Sequence, residues 1–164
     1  FLKDIRPAPL AVILRENADE PQAEQIAAAI AGREFGLTTD LSAAIRAGLR
    51  SVAAEEAEKS VRRVFQALRI EVNGEFRALD SLLRVLPSCL RPGGRAAILT
   101  FHSGEDRRVK KAFLAGLRDG TYSEVSRDVT RPTPAECRAN PRAASAKLRC
   151  AVRSNPRDPA NLIK

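Results

Sequence analysis

Apolar residues recur along most of this chain at the spacing of a helix. Ala23, Ile26, Ala27 and Ile30 stand at i, i+3, i+4 and i+7 behind Asp19 and Pro21. Leu41, Ile45, Leu49 and Val52 form a second stripe behind Thr38, Thr39 and Asp40, any of which can cap it. Pro7 and Pro9 are expected to confine the first helix to about Leu10–Asn17, and Gly32 or Gly36 to end the second. These stripes are narrow and alanine-rich, which suits thin helices packed closely, so residues 1–54 read as an all-helical module. From Ala57 to Leu86 the period stays helical, through Val61, Val64, Phe65, Leu68, Val72, Phe76, Leu79 and Leu83. At ~1.5 Å per residue one straight helix here would run ~45 Å, so an interruption is predicted at Asn73-Gly74.

The pattern then changes. Pro87 and Pro92-Gly93-Gly94 are expected to stop the helix and turn the chain. Ala96–Phe101 is a short continuous apolar run, as in a parallel strand covered on both faces. A helix is predicted at Glu105–Leu117, with Val109, Ala112, Phe113 and Gly116 inward, and a weaker strand at Glu124–Thr130. Lys147–Arg153 alternates, with Leu148, Cys150 and Val152 on one side and Lys147, Arg149 and Arg153 on the other. A Pro-, Ala- and Arg-rich loop separates the last two strands. The order predicts an α/β sheet.

Of 164 residues, 44% are hydrophobic and 29% charged, enough apolar material for a real core. No window holds ~18 uninterrupted apolar residues, so no membrane span is expected. Cys89, Cys137 and Cys150 show no C-x-x-C spacing and there is one His, so neither a disulfide framework nor a metal site is expected. A reducing cytoplasmic setting follows as the expectation. There is no Met, even at position 1, so the chain is expected to be a piece of a longer product. The net charge of +8 is uneven: residues 1–90 hold 12 Lys/Arg against 13 Asp/Glu, and residues 91–164 hold 16 against 7. Such a basic half suits a phosphate-bearing partner or a solvated surface. Aromatic residues are only 4%, with no Trp, so contact with nucleic acid would run through backbone and shape rather than stacking.

Four segments are candidates for chemistry. Thr100-Phe101-His102-Ser103-Gly104-Glu105-Asp106-Arg107 follows the apolar strand at its carboxyl end, where open α/β sheets bind ligands. His102 either reaches a ligand or packs at the rim, while Ser103 is expected to cap the next helix with Asp106 completing a capping box. Pro92-Gly93-Gly94 precedes a strand and reads as a turn. Asn140-Pro141-Arg142 through Ser145-Ala146-Lys147-Leu148-Arg149 gathers Arg142, Lys147 and Arg149, for phosphate contact or as a solvated loop. Arg62, Arg63, Gln66, Arg69 and Asn73 follow one helix face at steps of three and four, either its solvent side or a substrate-facing stripe.

Taken in order, Val64-Phe65-Gln66-Ala67-Leu68-Arg69-Ile70-Glu71-Val72-Asn73, Pro92-Gly93-Gly94-Arg95, Phe101-His102-Ser103 with Glu105-Asp106-Arg107, and the segment from Asn140 to Arg149 resemble the bacterial 16S ribosomal RNA cytosine-N4 methyltransferases of the MraW/RsmH type. The resemblance covers roughly residues 60–153. It implies a class I, Rossmann-like methyltransferase fold, with residues 1–54 as a helical insert that helps hold RNA and residues 55–164 as the C-terminal half of the sheet domain. It also implies S-adenosylmethionine as methyl donor and the 16S rRNA of the small ribosomal subunit as substrate. The family's glycine-bearing cofactor segment would lie upstream, so no cofactor-binding or catalytic residue is assigned here. Gly104, Arg108 and Ala144 depart from the family pattern.

On this resemblance Arg63, Gln66, Arg69 and Asn73 are expected to align substrate, His102 and Ser103 to form the active-site rim, and Arg142, Lys147 and Arg149 to meet phosphates. A half sheet would expose an edge through which copies self-associate. The alternatives are a non-catalytic RNA- or ribosome-binding module of the same descent and a purely structural interaction protein.

Overall fold

The computed structural model describes residues 1–155. The chain divides into two compact units, Phe1–Phe76 and Arg77–Lys164.

The first unit is helical, with α1 (Pro7–Ala18), α2 (Ala23–Ile30), α3 (Thr38–Gly48) and α4 (Ala54–Asn73). Helix α1 begins three residues before the expected Leu10. Pro7 and Pro9 fall in its first turn, where backbone N–H groups have no acceptor within the helix, so neither ring removes a hydrogen bond. The four apolar residues read for α2 are fully buried, and α2 stops at Ile30, ahead of both glycines. No side chain caps α3: Leu37 holds the cap position, and Thr38 and Thr39 lie inside the helix. Alanine and glycine bring α2 and α3 close, since a Cβ on Gly48 would stand 2.8 Å from the Ala29 Cβ.

One core joins Leu10, Leu14, Ile26, Ile30 and Ile45 to Ala57, Val61, Val64 and Ala67 of α4, each large aliphatic side chain contributing roughly 2–3 kcal/mol. That packing places α4 with the preceding helices, so the units divide at 76/77 rather than at the 54/55 boundary expected from sequence. Between α1 and α4 lies a buried polar seam. Glu20 Oε1 accepts from Ser60 Oγ and from the Gln22 N–H, each at 2.9 Å, and Asn17 Nδ2 donates to the Ala67 carbonyl.

Gly74 ends α4 with φ 64, as predicted for the interruption, and α5 (Glu75–Cys89) follows. Pro87 lies inside α5 rather than ending it; so near the C-terminus it removes one hydrogen bond and leaves the turn intact. Gly93, at φ 74, makes the tight turn into the sheet.

The second unit continues with β1 (Arg95–Thr100), α6 (Ser103–Arg118), β2 (Tyr122–Val125), α7 (Pro134–Ala139) and β3 (Lys147–Arg153). The expected loop between the last two strands contains α7 and a single 3-10 turn, Pro141–Ser145. The sheet is small, in the order β1-β3-β2, and both pairings are antiparallel. The expectation of a parallel strand covered on both faces is therefore corrected for β1. In its register with β3, Ala97 faces Cys150 and Leu99 faces Leu148; these lie on an open face, with Leu99 53% exposed. The other face, with Ala96 and Ala151, packs against Val109 and Phe113 of α6.

Strand β2 starts earlier than predicted, at Tyr122, because that ring is buried edge-on against Phe113 at 5.5 Å between centroids. Its pairing lapses after Val125 and returns as an isolated bridge between Thr130 and Leu148. Gly116 permits this docking: a Cβ there would sit 2.5 Å from Tyr122 Cδ2.

Candidate functional site

The turn from β1 into α6 is closed by its own side chains. His102, rather than Ser103, is the N-cap, its Nδ1 accepting from the Glu105 N–H at 3.4 Å. Glu105 folds back so that its Oε2 accepts from the Phe101 N–H at 2.9 Å. In place of the box expected between Ser103 and Asp106, His102 and Glu105 cap the helix one residue earlier, with the return bond reaching the Phe101 N–H before the cap. Ser103 is the exposed first residue of α6. His102 Nε2 lies 3.5 Å from Glu105 Oε1, so the imidazole is held on two sides by one carboxylate-bearing residue.

Asp106 is released from capping because it has a stronger partner. Arg149 reaches it with Nε to Oδ1 at 2.7 Å and Nη2 to Oδ2 at 3.2 Å. Hydrogen bonding from Arg149 holds the Asp106 carboxyl below its ordinary range against the opposing effect of burial, and the Lys147 and Arg131 charges add to this. This corrects two sequence expectations. The charged side of β3 faces inward at Arg149, which is buried, while Cys150 on its apolar side is exposed. Arg149 is consequently a structural cation sealed between β3 and α6, withdrawn from phosphate contact. Lys147 is half-buried and Arg142 exposed.

A groove of about 470 Å³ lies on the open side of the sheet. Leu99, Phe101 and Leu148 form its apolar floor, with Phe101 51% exposed. Arg131, Glu136, Asn140 and Arg142 stand at its wall. Asn140 Oδ1 accepts from the Arg142 N–H at 3.2 Å and so starts the 3-10 turn that carries Arg142. Among the described residues Arg131 and Arg142 form no ion pair. An apolar platform beneath two guanidinium groups, with Glu136 the one carboxylate on the same lining, can hold a flat ring on its floor and an anionic group at the guanidinium side of its wall.

Phe101 lies in a segment read as a candidate, without a role of its own, and Arg131 lies in none. The signal for Phe101 was the i, i+2 relation to Leu99, which puts both on one strand face. Nothing in the local pattern around Arg131 distinguished it from the other arginines of the loop.

In the helical unit the polar row of α4 is anchored by acids. Arg63 Nη1 lies 3.0 Å from Glu56 and 3.7 Å from the buried Glu20. Arg63, and after it Lys59, hold the Glu56 carboxyl below its ordinary range by hydrogen bonding. Arg69 makes two hydrogen bonds to Glu75, at 2.8 and 3.1 Å, and Asn73 Nδ2 adds a third at 3.1 Å. Gln66 is half-buried and Arg62 exposed. Arg69 and Asn73 are therefore gathered onto one carboxylate at the end of α4, while Arg63 is held toward its start.

Among the described residues no group of three or more His, Cys, Asp or Glu side chains could hold a metal ion, and no helix is long and apolar enough to cross a membrane.

A family model described as the MraW methylase family matches residues 1–154. The chain is 47% identical over 162 residues to "Ribosomal RNA small subunit methyltransferase H 1" of Agathobacter rectalis, covering 93% of this chain and 46% of that protein. It is 48% identical over 162 residues to the protein of the same name from Lachnoclostridium phytofermentans, covering 93% of this chain and 44% of that protein. A third relative, "Ribosomal RNA small subunit methyltransferase H 2" of Alkaliphilus metalliredigens, is 45% identical over 162 residues. The chain spans about half the length of the curated relatives it matches.

Proposed function

From the premise that the chain belongs to the MraW methylase family, we propose that it is part of an enzyme that methylates the N4 amine of a cytosine in 16S rRNA of the small ribosomal subunit. S-adenosylmethionine is the methyl donor of this reading. Following the family resemblance, its site is assigned mainly to sequence outside this chain, and the sheet is read as the C-terminal half of a class I methyltransferase domain in a cytoplasmic enzyme. The turn from β1 to α6 is occupied by the Glu105 carboxylate and the His102 ring.

The observation that carries the proposal is the groove, with Leu99 and Phe101 exposed below Arg131 and Arg142. Its floor suits an unstacked base and its wall suits a phosphate. His102 and Ser103, next in the chain after the Phe101 of its floor, are assigned to the active-site rim. Arg142 and Lys147 are the phosphate contacts. In the helical unit, read as the RNA-recognition insert, Arg63, Gln66, Arg69 and Asn73 align substrate, with Glu75 fixing Arg69 and Asn73 in place. The open face of Ala97, Leu99 and Cys150, beside the unpaired edge of β1, supports self-association as a further property.

The test combines two measurements on the complete gene product. Isotope-labelled S-adenosylmethionine is supplied with small-subunit particles, and the rRNA is digested and analysed for N4-methylcytosine by mass spectrometry. Binding of 16S rRNA is then titrated against salt for wild type and for Arg142→Ala/Lys147→Ala. The double variant is expected to bind more weakly and to lower the log–log salt slope by about 2. Absence of methylated cytosine overturns the enzymatic reading, and RNA binding that persists without methyl transfer leaves a binding module.

A further inference from the structure

We propose that the outward face of α6, joined by Arg127, is a second docking surface for the RNA phosphate backbone, on the opposite side of the sheet from the groove. This rests on the RNA-methylating reading and adds a surface to it.

Arg107, Lys110, Lys111, Leu114 and Arg118 recur at i, i+3, i+4, i+7 and i+11 along α6, and all five are exposed. At ~100° per residue they share one face, directly opposite the buried Val109, Phe113 and Gly116. The acidic residues of the helix lie in its first turn and are engaged inward, Glu105 on the Phe101 N–H and Asp106 on Arg149. Of the helix's own residues the outward face thus carries four cations and no anion; at its margins Asp80, bonded to Arg108, lines a cleft with Lys111, and Asp119 follows Arg118. Arg127, from the segment after β2, lines one narrow cleft with Lys110, Leu114, Val125 and Ser126, and no carboxylate lines that cleft. Among the described residues Lys110, Lys111, Arg118 and Arg127 form no ion pair.

The exposed side of α4 in the same chain is built differently. There Lys59 is paired with Glu55 and Glu56, and Arg46 with Glu58. A merely solvated helix face in this protein therefore mixes its charges, and α6 does not. Like charges held side by side repel, and a polyanion relieves that repulsion while releasing its own condensed counterions. From Arg107 to Arg118 the row extends ~16 Å, long enough to follow several phosphates of one strand. Because α6 covers one face of the sheet and the groove lies on the other, a short oligonucleotide seated in the groove does not reach this row. A long folded RNA does.

The test measures binding of the complete gene product to two probes, a transcribed 16S rRNA fragment and a ~4-nucleotide single strand, only ~14 Å long. It compares wild type with Lys110→Gln/Lys111→Gln/Arg127→Gln, and with a charge-matched control, Arg6→Gln/Arg33→Gln/Arg50→Gln, at exposed positions of the helical unit. Thermal melting verifies that both variants fold. For the long RNA the α6 variant is expected to lose about tenfold or more in affinity and about 2–3 in salt slope, with the oligonucleotide unaffected. Unchanged binding of the long RNA overturns the proposal, as does equal loss on both probes or equal loss in the control. If wild type binds neither probe, the RNA-methylating reading fails and takes this surface with it.

Discussion

Arg149 and Asp106 are joined by two parallel hydrogen bonds between β3 and α6, with side chains only 9% and 17% exposed. Arg149→Ala would strand a nearly buried carboxylate, at a cost of roughly 3 kcal/mol. Arg142→Ala, at an exposed position, is expected to change stability by less than about 0.5 kcal/mol. Urea unfolding of the two variants separates the buried, paired arginine from the exposed one.

The same pair sets a pH dependence. The folded Asp106 carboxyl titrates below its unfolded value of about 3.9. Its contribution is therefore complete above that value and disappears as pH falls through the lower folded value. Asp106→Asn should flatten the acid limb of a stability-against-pH curve below about pH 4 and leave the neutral-to-alkaline limb parallel to wild type. A variant curve that keeps the full acid limb would remove Asp106 from the account.

His102 caps α6 and is proposed as part of the active-site rim, and two substitutions divide these roles. His102→Ala should cost about 1 kcal/mol by removing the acceptor for the Glu105 N–H. Asn is a good cap, so His102→Asn should recover most of that loss in thermal unfolding. Methyl transfer is expected to stay impaired in the Asn variant; recovery of both properties would reduce His102 to a cap.

Gly116 lets Tyr122 lie against α6. A methyl group there would stand 2.5 Å from the ring, so Gly116→Ala should destabilise by about 1–3 kcal/mol despite the better helix propensity of Ala. Tyr122→Leu in the same background, by shrinking the clashing group, should recover part of the loss if the clash is its cause.

The helices of the first unit were legible because a one-sided apolar stripe states which face is buried. The strands were less so. Alternation along β3 identifies two faces without saying which one is covered, and the charge on Arg149 suggested solvent. Its partner lies 43 residues away, a relation that no local period carries. The apolar run of β1 likewise gave the strand but not its direction of pairing, which is set by a segment some fifty residues later. The segment from Phe101 to Arg107 is legible as the end of the strand, yet the cap falls one residue early because a histidine ring supplies the acceptor expected of Ser103.

The position of β3 between β1 and β2 has a consequence for how the chain is made. The two outer strands are synthesised first and do not pair with each other; each finds its neighbour in Lys147–Arg153. During translation the helical unit can close as soon as α4 has emerged, whereas the sheet must wait for its last strand. Until then the edges of β1 and β2 that β3 will cover stand open, the state in which newly made sheets misassociate. Ribosomes stalled between residues 130 and 145 should therefore carry a protease-resistant helical unit followed by a cleavable tail, and protection of that tail should arrive in one step once β3 is clear.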